Sequence, residues 1–404
     1  MKGYMVKRGT RRVRGSDKHT SCWRLFVELG RRADGKRERR TKTVYGTERD
    51  AAKELRSLLR EHDAGVRSNP SQLDVEHFLR RWFATKTDLE LGTREDYEAV
   101  IEQRLIPAFG KLKLDRLDRQ VIRAQYSRWL AEGRLPRKSK KPHKAKRASL
   151  SSATIRKIHT VLRGALQSAF DDNLVVRNMA AGLELPKLAV NERRALCADE
   201  FKALLVAASS SRMYAPILTL LATGLRRGEL LALRWKDLDL DRRRLAVRRS
   251  LESTKGALRF KAPKTAKTRV VTLPEIAIDA LVAHRVWQNK ERLRMGEAWV
   301  DNDLVFAGFA GGPWEPHNFS RDFRKCAIAA GIGSIGSHIL RHTAATEMLR
   351  QGLHPKVVAD RLGHATTRMT LDIYSHMSPD LESDAAARMN VALNAALAEK
   401  ALPA

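Results

Sequence analysis

Near the end of the chain, His338, Arg341, His364 and Tyr374 supply one hydroxyl nucleophile, one guanidinium and two imidazoles. Attack on a phosphodiester needs those groups: an oxygen that reaches phosphorus, a cation on the non-bridging oxygens, and rings that hold or move a proton. They fall in Ser-His-Ile-Leu-Arg-His at 337–342, in Leu-Gly-His at 362–364, and at a tyrosine ten residues further on. A second arginine, Arg226, stands far upstream in Ala-Thr-Gly-Leu-Arg-Arg-Gly-Glu-Leu-Leu at 222–231, with Arg227 beside it and Glu229 three residues on. Phosphoryl transfer spreads negative charge over the non-bridging oxygens, and arginine forks neutralise it with bidentate geometry. Each preorganised donor of this kind is worth on the order of 10²–10³ in rate.

Other chemistries lack parts. No glycine-rich loop is followed by Lys-Ser or Lys-Thr, so an ATP-driven motor is not expected. His338 and His342 are spaced like a zinc pair, but Ile339 stands where the catalytic glutamate of such a helix would be, and no third ligand is evident. A two-metal nuclease needs clustered carboxylates, whereas 46 Asp and Glu are diluted among 77 Lys and Arg. The expectation is a site in which guanidinium groups do a metal's work, with no metal and no cofactor. Cys22, Cys197 and Cys326 are odd in number and far apart, which supports neither a disulfide framework nor a zinc ribbon.

The net charge of +31 is spread along the whole length and points to DNA or RNA as partner, with binding that falls steeply as salt rises. No apolar run reaches the length of a membrane span, and the basic start lacks the apolar centre of a secretory signal, so the chain reads as soluble, intracellular and off the membrane. At 404 residues, two or three domains are expected.

The elements that must position these groups fall into three segments. Residues 1–64 open with a basic irregular stretch; Trp23, Leu25, Val27 and Leu29 then alternate as in a half-buried strand, and a turn at 33–35 leads into a second basic strand. Thr47 caps a following helix, with Asp50 at its third position. Nearly all exposed strand positions are Arg, Lys or Thr, suited to a strand face laid on DNA. Residues 71–185 are helical in pattern, with helices over about 72–85, 93–105, 118–132 and 151–171, capped at Asp118 and at Ser151 or Ser152. A cationic loop over 133–147 is either a solvated tether or a phosphate-tracking segment. From 195 on, helices are expected over 200–208 and 214–233, the latter broken at Thr223-Gly224. Strands follow near 244–250, 258–261 and 269–273, and helices over about 275–294, 317–330, 338–350, 355–362 and 366–376. An alanine-rich helix from Asp384 to Ala398 has one face apolar enough to dock. The fold class is therefore mainly α with small β-sheets.

The boxes at 223–230 and 338–343, with Leu-Gly-His and Tyr-Ser-His at 362–376, resemble those of the tyrosine recombinases, in particular the phage integrases. Between them, Ala-Pro-Lys-Thr-Ala-Lys-Thr-Arg-Val-Val-Thr-Leu-Pro at 262–274 is similar to the family's lysine-bearing hairpin. The resemblance is strong over 195–380 and weaker over the two N-terminal segments. It implies that Tyr374 attacks the scissile phosphate to form a 3′-phosphotyrosyl bond and free a 5′-hydroxyl, while Arg226 and Arg341 hold the non-bridging oxygens. It implies Lys264 as the acid that protonates the leaving 5′-oxygen, with Lys261 and Lys267 competing on the same hairpin. His338 would assist proton transfer at the tyrosine, His364 would bond the phosphate and Glu229 would orient the arginine or lysine. His342 reads as structural and His376 as a surface residue.

The same resemblance implies a core-binding SAM-like domain over 71–185, in which Asn178-Met179 replaces the usual Asn-Pro, and an arm-type DNA-binding domain over 1–64. A tetramer would act on two duplexes of double-stranded DNA, at core-type and arm-type attachment sites in the bacterial cytoplasm. A host DNA-bending protein and a directionality factor are plausible companions. The C-terminal helix would dock on a neighbouring protomer or pack on its own domain. Two other readings stay open: a non-catalytic architectural DNA-binding protein, and a type IB topoisomerase-like relaxing enzyme.

Overall fold

The computed structural model describes residues 3–12, 19–31, 37–63, 73–133, 149–188, 194–263, 268–375 and 378–399. The chain divides into two compact units, 1–190 and 191–404.

The first unit holds two hydrophobic cores. The smaller is built by an antiparallel sheet of β1 (Gly3–Arg12), β2 (His19–Arg31) and β3 (Arg37–Tyr45), with β2 central, and by α1 (Glu48–Asp63). Alternation sends Leu25 and Val27 toward α1, where they meet Ala51 and Leu58, all fully or almost fully buried. Thr47 and Asp50 close the start of α1 reciprocally, Thr47 N–H donating to Asp50 Oδ2 at 2.9 Å and Asp50 N–H to Thr47 Oγ1 at 3.3 Å. Trp23 is half-buried and donates from its indole to Gly46 O at 3.2 Å, whereas the Leu29 side chain lies outside what the structure describes.

Two expectations are corrected here. The opening basic stretch is a full strand, because Met5 points to the helix side while Tyr4 and Val6 point away, which hides the alternation among cations. Among the described side chains the outward face also carries apolar groups: Tyr4 stacks on Phe26 at 4.9 Å between centroids, and Val6, Arg24, Thr41, Thr43 and Tyr45 share that face.

The second core is helical, formed by α2 (Val75–Ala84), α3 (Leu91–Val100), α4 (Ile106–Phe109), α5 (Arg119–Glu132) and α6 (Ser152–Asp171). A π-helical turn, Ile101–Leu105, joins α3 to α4. Pro107 has no N–H for the carbonyl four residues back, and a widened turn is a way to absorb that loss. Asp118 accepts from Val121 N–H at 2.8 Å and Ser151 from Thr154 N–H at 3.2 Å, so both helices start at their expected caps. Asn178 closes the turn after α6 without the usual proline: it donates to Arg163 O at 3.0 Å and accepts from Ala180 N–H at 3.0 Å. Most of the cationic loop, 134–148, lies outside the described residues.

The second unit begins with α7 (Ala198–Ala208), α8 (Tyr214–Thr223) and the short α9 (Arg227–Leu231). Strands β4 (Leu238–Asp239), β5 (Arg244–Val247), β6 (Ser250–Thr254), β7 (Ala257–Lys261) and β8 (Arg269–Thr272) form two small antiparallel sheets, β4-β5-β8 and β6-β7. The strand expected over 244–250 thus ends at Val247, and β6 is a further strand. It turns into β7 through Lys255 and Gly256, whose φ of 42° and 80° are those of a two-residue hairpin turn. Helices α10 (Glu275–Met295), α11 (Pro316–Ala329), α12 (His338–Arg350), α13 (Pro355–Leu362), α14 (Arg368–Ser375) and α15 (Ser378–Glu399) complete the unit. Phe306, Phe319, Phe323, Ile217, Leu230 and Leu340 are fully or almost fully buried in its core. The last helix starts before Asp384, and Met389, Val391, Leu393 and Leu397 on it are exposed.

Gly224 ends α8 in the left-handed region with φ 66°, and a Cβ there would overlap Leu362 Cδ2. A Gly224→Ala protein should lose about 1–2 kcal/mol to backbone strain and about 1–3 kcal/mol to overpacking. Denaturant titration against the native chain measures that loss.

Candidate active site

The spacing of the first arginine box is the spacing of a helix start. Gly224 stops α8, Arg226 stands in extended conformation just before α9, and Glu229 three residues on reaches back to accept Arg226 N–H at 2.9 Å. The Glu229 side chain is 1% exposed. Burial pushes its carboxyl up, but two bonds from Arg269, at 3.1 and 2.6 Å, and the nearby Arg226 hold it below the ordinary carboxylate range. It is therefore an ionised, buried carboxylate, which is tolerable only because it is paired on both sides.

Arg226 donates from Nη1 to Glu229 Oε1 at 2.9 Å and from Nη2 to Gly363 O at 2.9 Å. Arg227 goes elsewhere, donating to Pro316 O at 3.3 Å and Ser320 Oγ at 2.5 Å. The structure thus brings Arg226, and not Arg227, to the cluster.

Arg341 lies on the first turn of α12 and is 4% exposed. Its Nη1 donates to Gly224 O at 2.7 Å, and its Nη2 is buried with no hydrogen-bond partner among the described residues. Burial, and then repulsion from Arg226, lower its pKa to about 9, with Glu229 opposing and Arg269 adding to the repulsion. A buried guanidinium in that state carries a desolvation cost that an anion at Nη2 would relieve.

His364 follows Gly363, whose φ of 67° ends α13. Its Nδ1 is 2.8 Å from Thr370 Oγ1, and Thr370 is fully buried. Burial first, then Arg341, Arg226, His338 and Arg269, bring its pKa down to about 4, so the ring is neutral at neutral pH. His338 opens α12, is exposed, and is near enough for its charge to act on His364. His342 is half-buried on the same helix.

Tyr374 lies in α14, which packs against α12 and α13; its side chain lies outside what the structure describes. Lys264 and Lys267 are also outside the described residues, on the connection between β7 and β8, and so is His376. Lys261 pairs with Glu252 across the β6-β7 hairpin at 3.1 Å.

Three contributors were not singled out from the sequence: Arg269, Thr370 and Arg361, whose Nη2 donates to Ala222 O at 3.1 Å and Thr272 O at 2.8 Å. Arg269 had a signal. In a strand, it shares a face with Val271, which is buried, so an inward-pointing arginine was legible from alternation.

Taken together, a buried carboxylate, three converging arginines and a neutral imidazole form, on a mostly helical unit, an arrangement that can hold a phosphodiester anion. The phage integrase family matches residues 194–380, and its N-terminal SAM-like domain matches residues 75–130. A tyrosine recombinase XerC-like protein of Caldanaerobacter subterraneus is 29% identical over 59% of this chain and 66% of its own length. An integrase of Streptomyces ambofaciens is 28% identical over 92% of this chain and 94% of its own. Among solved structures, the Tn1549 transposon integrase in complex with a circular intermediate DNA superposes with a TM-score of 0.64 at 20% identity, over 78% of this chain and all of that one, a likeness of fold. The chain belongs to the phage integrase family of tyrosine recombinases. It is a DNA-binding enzyme of site-specific recombination. No helix among the described residues is long and apolar enough to cross a membrane.

Proposed function

We propose that this recombinase cuts and rejoins duplex DNA through Tyr374, integrating or excising a mobile genome in the cytoplasm of a bacterial host. The Tyr374 oxygen attacks the scissile phosphorus, the bond from phosphorus to the 5′-oxygen breaks, and a 3′-phosphotyrosyl bond forms. His338 takes up the phenolic proton and Lys264 gives one to the departing 5′-oxygen, so charge and protons balance within the step. Arg226 and Arg341 hold the non-bridging oxygens, His364 adds a neutral hydrogen bond, and Glu229 orients Arg226. The ester stored on the tyrosine has the energy of the bond it replaced, so attack by a second 5′-hydroxyl reseals DNA without ATP. The observation that carries this reading is Arg341, buried inside an arginine cluster with an Nη2 that has no hydrogen-bond partner among the described residues.

In the larger assembly, residues 1–64 would engage arm-type sites, 71–185 and 195–404 core-type sites, and four protomers would pair two duplexes. The exposed apolar side chains of α15 suit docking on a neighbouring protomer. A host DNA-bending protein and a directionality factor fit a three-domain integrase of this kind. Retention of Tyr374 with both arginines favours this over a purely architectural protein. The test is a nicked suicide duplex incubated with the protein in EDTA: a covalent protein–DNA adduct is expected, and a requirement for magnesium would overturn the mechanism.

A further inference from the structure

Arg269 lies outside the set of groups assigned above, yet all three of its guanidinium nitrogens make directed contacts in the cluster. Its Nη1 and Nη2 form a fork on Glu229 at 3.1 and 2.6 Å, and its Nε donates to Arg361 O at 3.0 Å. The guanidinium also lies on Gly363: a Cβ built there would come within 2.8 Å of Nη1 and 3.0 Å of Cζ. Its side chain is 10% exposed. One side chain at the start of β8 therefore ties together the carboxylate of α9 and the end of α13, from which His364 follows.

We infer that Arg269 is a positioning residue for strand cleavage: it keeps Glu229 ionised and fixed, and thereby holds Arg226 in the orientation that meets the phosphate. The inference rests on the phosphodiester chemistry proposed above. Glu229 accepts three side-chain donors, two from Arg269 and one from Arg226, besides the Arg226 N–H. With Arg269 present, the carboxylate charge is largely met by a residue that does not face substrate, and Arg226 keeps net positive charge for DNA. Without it, Glu229 loses its bidentate partner in a buried place. Its carboxyl then rises, opposed among the described residues by Arg226 on its own helix and Arg341 from α12, with His364 and His338 beyond them. A protonated Glu229 no longer accepts from both Arg226 N–H and Nη1, and the guanidinium swings out of place.

The test is the pH profile of single-turnover cleavage of the suicide duplex by native, Arg269→Gln, Arg269→Lys and Arg269→Gln/Glu229→Gln proteins, with duplex binding and thermal melting measured alongside. Arg269→Gln should lose about 10² in cleavage rate at pH 6, recover part of it as pH rises, and so show an acid limb that the native protein lacks over the same range. The double variant should be slow without that limb, and Arg269→Lys should lie between native and Arg269→Gln. An Arg269→Gln rate that is native-like, or depressed equally at every pH, would overturn the inference; so would a limb that persists in the double variant. Should Arg269→Gln not fold, the Arg269→Lys profile decides on the same criterion. Failure of the native protein to form any adduct would instead count against the cleavage chemistry itself.

Discussion

A Tyr374→Phe protein is expected to bind its duplex target as tightly as the native chain and to form no covalent adduct with it. The substitution removes one oxygen and leaves the ring, so α14 keeps its packing against α12 and α13. What is lost is the atom that attacks phosphorus, and loss of a nucleophile costs roughly 10⁴–10⁶ in rate even when the rest of the site survives. Gel shift and denaturing electrophoresis of the same samples separate the two effects. Adduct formation near the native rate would place the nucleophile elsewhere. Loss of binding together with cleavage would show that the hydroxyl supports the fold rather than the reaction.

Arg341→Lys should damage cleavage more than Arg269→Lys does. A lysine replaces the fork that donates to Gly224 O at 2.7 Å and offers a second, buried nitrogen. Removing a preorganised donor of this kind costs on the order of 10²–10³ in the cleavage step. The alkaline fall in rate should also begin at lower pH in the variant. Burial and the neighbouring Arg226 already lower the arginine to about 9. A lysine in the same place starts from a lower intrinsic value and is depressed by the same causes, so it loses its proton, and the site its charge, as pH rises. Single-turnover rates of native and variant protein across neutral to alkaline pH would show the variant falling at lower pH than the native protein. Parallel profiles would mean that the charge at this position is not what the reaction uses.

Helix periods and caps made most of the second unit legible in advance, because each motif there coincides with a chain-direction signal. Gly224 breaks one helix, Arg226 and Glu229 start the next, and Gly363 ends α13 just before His364. The same was true of Asp118, Ser151 and Thr47, whose side chains accept from the backbone where the sequence placed the caps. Less was legible where tertiary partners decide the outcome. Strand β1 looked irregular because its outward side carries Tyr4 and Val6, and nothing local says that Phe26 will stack there. Arg269 lies within the hairpin motif, but its role is not legible there, since its three acceptors come from residues 40 and 92 positions away. The state of Arg341 was likewise beyond reach: its depressed pKa arises from burial and from charges that are distant in sequence.

The most direct measurement of the central claim is chemical mapping of the trapped complex. The adduct formed on a nicked suicide duplex in EDTA would be digested with protease and nuclease, the modified peptide sequenced by mass spectrometry, and the released DNA end assayed for phosphate. The expected result is a nucleotide joined through its 3′-phosphate to Tyr374, with a 5′-hydroxyl on the departing strand. Attachment to any other residue, or a 5′-phosphate linkage, would contradict it.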